Sequence, residues 1–117
     1  MFSTWHVPGV NDGCGRADRE YYQILLAELE KGLTEAGYAL TRDESLRVTI
    51  PEADRLQISR RIFRARQNYT SPRVSEEAMQ DNLDAAVNDG YAGSWLSLLI
   101  RGSERIGWYI TRPENSQ

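Results

Sequence analysis

Few residues in this chain could do covalent chemistry. Cys14 and His6 are its one cysteine and one histidine. A thiol nucleophile needs a base within hydrogen-bond reach and a rigid element that holds both. Here the two sit eight residues apart in "MFSTWHVPGVNDGCG", a stretch punctuated by Pro8, Gly9, Gly13 and Gly15, which reads as an irregular segment over 1–16. A lone thiol in a loop is the plainer reading, and an enzyme that depends on Cys14 stands as a distant alternative. Metal chemistry fares no better. A zinc site draws on clustered His and Cys, and Asp81, Asp84 and Asp89 lack the glycine-turn loop of a calcium site, so they read as a solvated helix face. "GVNDGCG" lacks the lysine and the strand-to-helix context of a phosphate loop. The sequence therefore predicts no catalytic residue, no metal and no cofactor.

The remaining chemistry belongs to arginine. Arg60, Arg61, Arg64 and Arg66 fall within seven residues, with Phe63 and Tyr69 interleaved. Planar guanidinium groups suit carboxylates and phosphates, and interleaved rings suit bases. Thirteen of the fourteen basic residues are arginine. The net charge of −3 argues against a general binder of polyanions. Charge is also segregated along the chain. Residues 51–74 carry six arginines against two acids, while 75–92 carry five acids and no base. Two readings follow. Either the arginines meet the carboxylates of the next helix, within the domain or across a homodimer, or they engage a partner protein, since arginine is enriched at binding hot spots. The residues that would contact a partner are Arg60, Arg61, Arg64, Arg66 and Tyr69, then Glu76, Glu77 and Asp81. Binding of nucleic acid through residues 60–73 is the alternative. It is opposed by Glu76, Glu77, Asp81 and Asp84, which would repel a phosphate backbone.

The elements that must position these groups are read from periodicity. Tyr22, Leu25, Leu26, Leu29, Leu33 and Ala36 recur at three- and four-residue spacing, which predicts a helix over 18–36 closed by Gly37. The period then changes to two. Strands are expected at 38–42, 46–50 ("LRVTI") and 55–59 ("RLQIS"), the last continuing through a bulge near Arg60–Arg61. A helix over 53–66 competes with that third strand, but Leu56, Ile58, Ile62 and Phe63 do not make one helical stripe. Ser75 is expected to cap a second helix whose buried face is Ala78, Met79, Leu83, Ala86 and Val87, ending at Gly90. "WLSLLI" (95–100) and "RIGWYI" (105–110) read as a closing hairpin, with Trp95, Trp108 and Tyr109 as core filling or interface. The order is α-β-β-β-α-β-β: an α+β domain over 17–113, its mainly antiparallel five-stranded sheet packed by two helices, with a polar tail at 114–117. No internal repeat stands out.

In element order, "LLAELEKGLTEAGYAL" and "DNLDAAVNDGYAGSWLSLLIRGSERIGWYI" resemble the class I chaperones of type III secretion. The resemblance implies a small, acidic, usually dimeric cytoplasmic protein without enzymatic activity that holds a client along exposed strands. The lack of a basic region followed by a long apolar run at the N-terminus, and of any stretch of roughly 18 apolar residues, also leads to an expected cytoplasmic location. The expected function is non-enzymatic protein binding of the chaperone, inhibitor, immunity or phage anti-defence kind.

Overall fold

The computed structural model describes residues 16–113, with side-chain surroundings from residue 19 on. His6, Cys14 and the tail 114–117 lie outside the described residues, as does all of the irregular segment except Arg16. Helix α1 (Arg16–Glu35) leads to strand β1 (Ala39–Thr41) and a single 3-10 turn (Glu44–Leu46). Helices α2 (Glu52–Thr70), α3 (Glu76–Asn88) and α4 (Tyr91–Arg105) follow, and strand β2 (Tyr109–Thr111) closes the order. The expected five-stranded sheet is thus corrected to four helices and a two-stranded antiparallel sheet among the described residues. The five-strand order that underlies the chaperone resemblance is not the order of this fold.

α1 forms as its spacing predicts. Leu25, Leu26, Leu29 and Leu33 are all at most 1% exposed, and burial of each contributes about 1.5–3 kcal/mol. α3 is also as expected: the Ser75 hydroxyl accepts from the Ala78 N–H at 3.2 Å, and Met79, Leu83 and Ala86 face inward.

The largest correction is at 52–70, where the competing helix is the one that forms. Its buried stripe is Ile58, Ser59, Ile62, Phe63 and Gln67, a regular three-and-four spacing. Two of its five members are polar, so the apolar residues alone do not trace it. Leu56, counted as core in the strand reading, is 42% exposed. Gln67 is tolerated inside because its Nε2 donates to the Met79 carbonyl at 3.1 Å. α4 replaces the expected 95–100 strand for the same reason. Its inward face is Ala92, Leu96, Leu99 and Ser103, and the Ser103 hydroxyl donates to the Leu99 carbonyl at 3.0 Å. "RGSE" reads as a turn only until Gly102 and Ser103 are seen buried in that helix. "LRVTI" alternates but is not a strand, since Leu46 is 54% exposed. One isolated bridge, Arg47 to Thr111, ties it to β2.

A short repeat joins the two ends of the fold. Residues 37–42 read "GYALTR" and 107–112 read "GWYITR". Gly37 (φ 94°) and Gly107 (φ 89°) take left-handed backbone after α1 and α4. Tyr38 N–H reaches the Leu33 carbonyl at 2.8 Å, and Trp108 N–H reaches the Ser103 carbonyl at 2.9 Å. The two copies then pair about Leu40 and Ile110. The pairing crosses their outer residues: Arg42 lies 4.9 Å over Trp108, and Arg112 lies 4.7 Å over Tyr38. This clamp fixes the C-terminal ends of α1 and α4 side by side. The main core gathers between α1, α2, α4 and the strands, and a smaller cluster of Phe63, Leu83, Ala86 and Ala92 seats α3.

Candidate functional site

Because 60–66 is helical, its four arginines leave the backbone in different directions. Arg60 pairs with Asp84 on α3 at 2.8 Å, and Arg64 pairs with Glu76, also on α3. Arg61 points the other way, to Glu28 at 2.9 Å and Glu35 at 2.7 Å on α1. It passes over Gly32, where an added Cβ would stand 3.2 Å from the Arg61 Cδ. Three of the four sequence-predicted arginines thus brace α2 against its neighbours within one chain. Of the predicted acids, Glu76 is in that set, while Glu77 and Asp81 are exposed on α3.

Arg66 is different again. No carboxylate pairs with it among the described residues. Its guanidinium lies 5.4–5.5 Å from the rings of Phe63, Tyr91 and Trp95 and donates to the Tyr91 hydroxyl at 3.3 Å. Its Nε is buried without a hydrogen-bond partner. Tyr21 packs on Tyr69 at 5.2 Å and on Trp95 at 6.0 Å. Burial holds the Tyr21 hydroxyl above its ordinary pKa, against the opposing pull of Arg66. Arg66 and these rings join the first part of α1, the end of α2 and the first turns of α4, and so fix the Tyr91 and Trp95 side chains.

Those two rings form one wall of a groove of about 730 Å³ along α4. Gly93, Ser94, Ser97 and Leu98 line it, with Arg55 from α2 and Arg101 from the later part of α4. On a helix Gly93, Ser97 and Arg101 stand one turn apart on one face. The small residues at 93, 94 and 97 leave the groove bare. Arg55 Nη2 donates to the Gly93 carbonyl at 3.4 Å and to the Ser97 hydroxyl, which orients it along the groove. Neither Arg55 nor Arg101 has an ion-pair partner among the described residues. A smaller hollow of about 120 Å³ shares Arg55, Gly90 and Gly93 with the groove and adds Glu52, Leu56, Ser59, Val87 and Ala92.

Sequence reasoning missed Arg55, Gly93, Ser97 and Arg101 as a set. Their alignment exists only on a helix, and that stretch reads as a loop and a hairpin. Trp95 was singled out and does line the groove; Trp108 and Tyr109 lie in the clamp instead. Among the described residues, no three His, Cys, Asp or Glu side chains are placed to hold a metal ion, and no helix is long and apolar enough to cross a membrane. Compared with known proteins, the chain matches no family model, no curated protein and no solved structure.

Proposed function

We propose that this chain is a non-catalytic binding module that holds an anionic part of a partner protein in the α4 groove. One observation carries the reading. Arg55 and Arg101 line the 730 Å³ groove without a carboxylate partner among the described residues, while Arg47, Arg60, Arg61, Arg64 and Arg112 all have acidic partners in the chain. A pair of uncompensated guanidinium groups beside Tyr91 and Trp95 offers charge-assisted hydrogen bonds and ring contacts, the usual anchors of an interface. The volume falls within the roughly 300–1,000 Å³ of ligand clefts. Chaperone, inhibitor, immunity and anti-defence proteins all work by such holding or occlusion.

Nucleic acid is the second reading, favoured by rings placed beside arginines. The groove's surroundings oppose it. Glu52 lines the adjoining hollow, and Asp89, whose carboxylate caps the Tyr91 N–H at 2.8 Å, begins a run of acids through α3. A backbone of successive phosphates would be repelled there, whereas one or two carboxylates would not.

The test is a photo-reactive amino acid placed at Ser94, in the groove, or at Thr34, exposed on α1, and irradiated in native cells. The expected result is one protein cross-linked from position 94 and not from 34. Equal labelling from both positions, no labelling, or capture of nucleic acid alone would contradict the reading.

A further inference from the structure

The groove's two arginines, its bare floor and the apolar side chains of the adjoining hollow together specify an occupant, and this step rests on the binding reading above. Gly93 is the third residue of α4, in its first turn after the Gly90 cap, where alanine is still the better helix former, by up to about 1 kcal/mol. The fold gives no reason for it. Its φ is not left-handed, and an added Cβ would meet nothing within 4 Å. The missing side chain instead opens the groove floor beside the Gly93 carbonyl and Ser97, where a main chain could lie close to the helix. Arg55 crosses above that floor, and Arg101 stands two turns from Gly93 on the same helical face. Beside Arg55, the adjoining hollow is mixed: Leu56 and Val87 give it an apolar side, Glu52 and Ser59 a polar one, and Leu56 is 42% exposed.

We propose that the groove takes an extended acidic peptide segment of the partner. Its main chain lies over Gly93, a carboxylate sits between Arg55 and Arg101, and a neighbouring apolar side chain enters the hollow at Leu56 and Val87. Charge complementarity selects this occupant. The groove presents two unpaired cations, and the acids of Glu52 and α3 around it exclude a longer polyanion. A basic segment would meet Arg55 and Arg101 as like charges.

The experiment is selection of a random dodecapeptide library on the whole chain, followed by anisotropy titration of the enriched peptides, fluorescein-labelled. The expected result is enrichment of peptides with Asp or Glu and an apolar residue a few positions away. They should bind at least tenfold more weakly to an Arg55→Gln/Arg101→Gln variant and to Gly93→Ala. The second variant separates contact from folding, because Gly93→Ala should raise the melting temperature while it weakens binding. No enrichment, enriched peptides without acids, or equal affinity for Gly93→Ala would overturn the proposal. So would tighter binding of a labelled oligothymidine than of any peptide. If the Ser94 probe captures a protein while peptide selection fails, this assignment falls and the binding reading stands; if the Ser94 probe captures nothing, the binding reading itself falls.

Discussion

Arg61 lies between Glu28 at 2.9 Å and Glu35 at 2.7 Å, whereas Arg101 stands exposed in a groove and makes no ion pair among the described residues. Both are arginines on amphipathic helices that pack on the same core. The difference lies in what the neighbouring elements present. α2 is flanked by α1 and α3, which bring carboxylates to its arginines from both sides. α4 turns its outer face to solvent, and the small residues there bring no counter-charge. A dense run of arginine in sequence is therefore the braced set, and two arginines 46 positions apart form the set open to a partner.

The comparison depends first on α2 being a helix that sends Arg60, Arg61 and Arg64 outward. Ile62→Ala, at a fully buried position, should cost about 2–5 kcal/mol in urea denaturation. Leu56→Ala should stay within about 0.5 kcal/mol. A strand would bury Leu56 with Ile58, so a large loss at Leu56 would break the helical placement.

A smaller effect is expected at the clamp, where an arginine is shared between an acid and a phenol. Tyr38 donates to Asp54 at 2.8 Å and accepts from Arg112 at 2.8 Å. Tyr38→Phe should cost about 1 kcal/mol. Burial, and then the bond to Asp54, hold the Tyr38 hydroxyl above its ordinary pKa. The unfolded chain then releases its phenol proton first, so folding is linked to keeping it. The contribution is full below about pH 10, the unfolded value, and is lost as pH rises through the folded one. Tyr21 is raised as well and acts in the same direction. Stability should therefore fall in alkali, and Tyr38→Phe should flatten part of that fall in denaturation curves taken from pH 8 to 12.

Removal of the braced arginines sharpens the contrast directly. Half-exposed ion pairs contribute about 0.2–1 kcal/mol each. The Arg60→Ala/Arg61→Ala/Arg64→Ala variant should lose on the order of 1–3 kcal/mol, and the loss should shrink in high salt as screening grows. Arg101→Ala should change stability by less than about 0.5 kcal/mol. One small effect has the opposite sign: Gly93→Ala, in the first turn of α4, should stabilise the chain by up to about 0.5 kcal/mol, measured by the same denaturation.

How much of this was legible followed one physical rule. α1 and α3 bury stripes of apolar residues, and both were readable from spacing. α2 and α4 bury polar residues within their stripes, namely Ser59, Gln67 and Ser103. Gln67 and Ser103 find partners on carbonyls that no sequence pattern reveals. Without them the remaining apolar residues mimic alternation, and 55–59 and 95–100 look like strands. The pairing of the arginine run with the acids of 75–92 was legible as compensation, and Arg60–Asp84 and Arg64–Glu76 realise it within the chain. The groove was not legible, because Gly93, Ser97 and Arg101 fall into line only when 91–105 is helical. The repeat "GYALTR" and "GWYITR" was in plain view but gained meaning only from its antiparallel pairing.

The central claim is that the two arginine sets do different work. It is tested most directly by the yield of protein cross-linked from Ser94 in two backgrounds, Arg60→Ala/Arg61→Ala/Arg64→Ala and Arg55→Gln/Arg101→Gln. The account predicts that the first, though less stable, keeps the native yield while folded, and that the second loses it with its fold intact. Loss of capture in the first and full capture in the second would contradict the account and return the binding surface to the arginine helix.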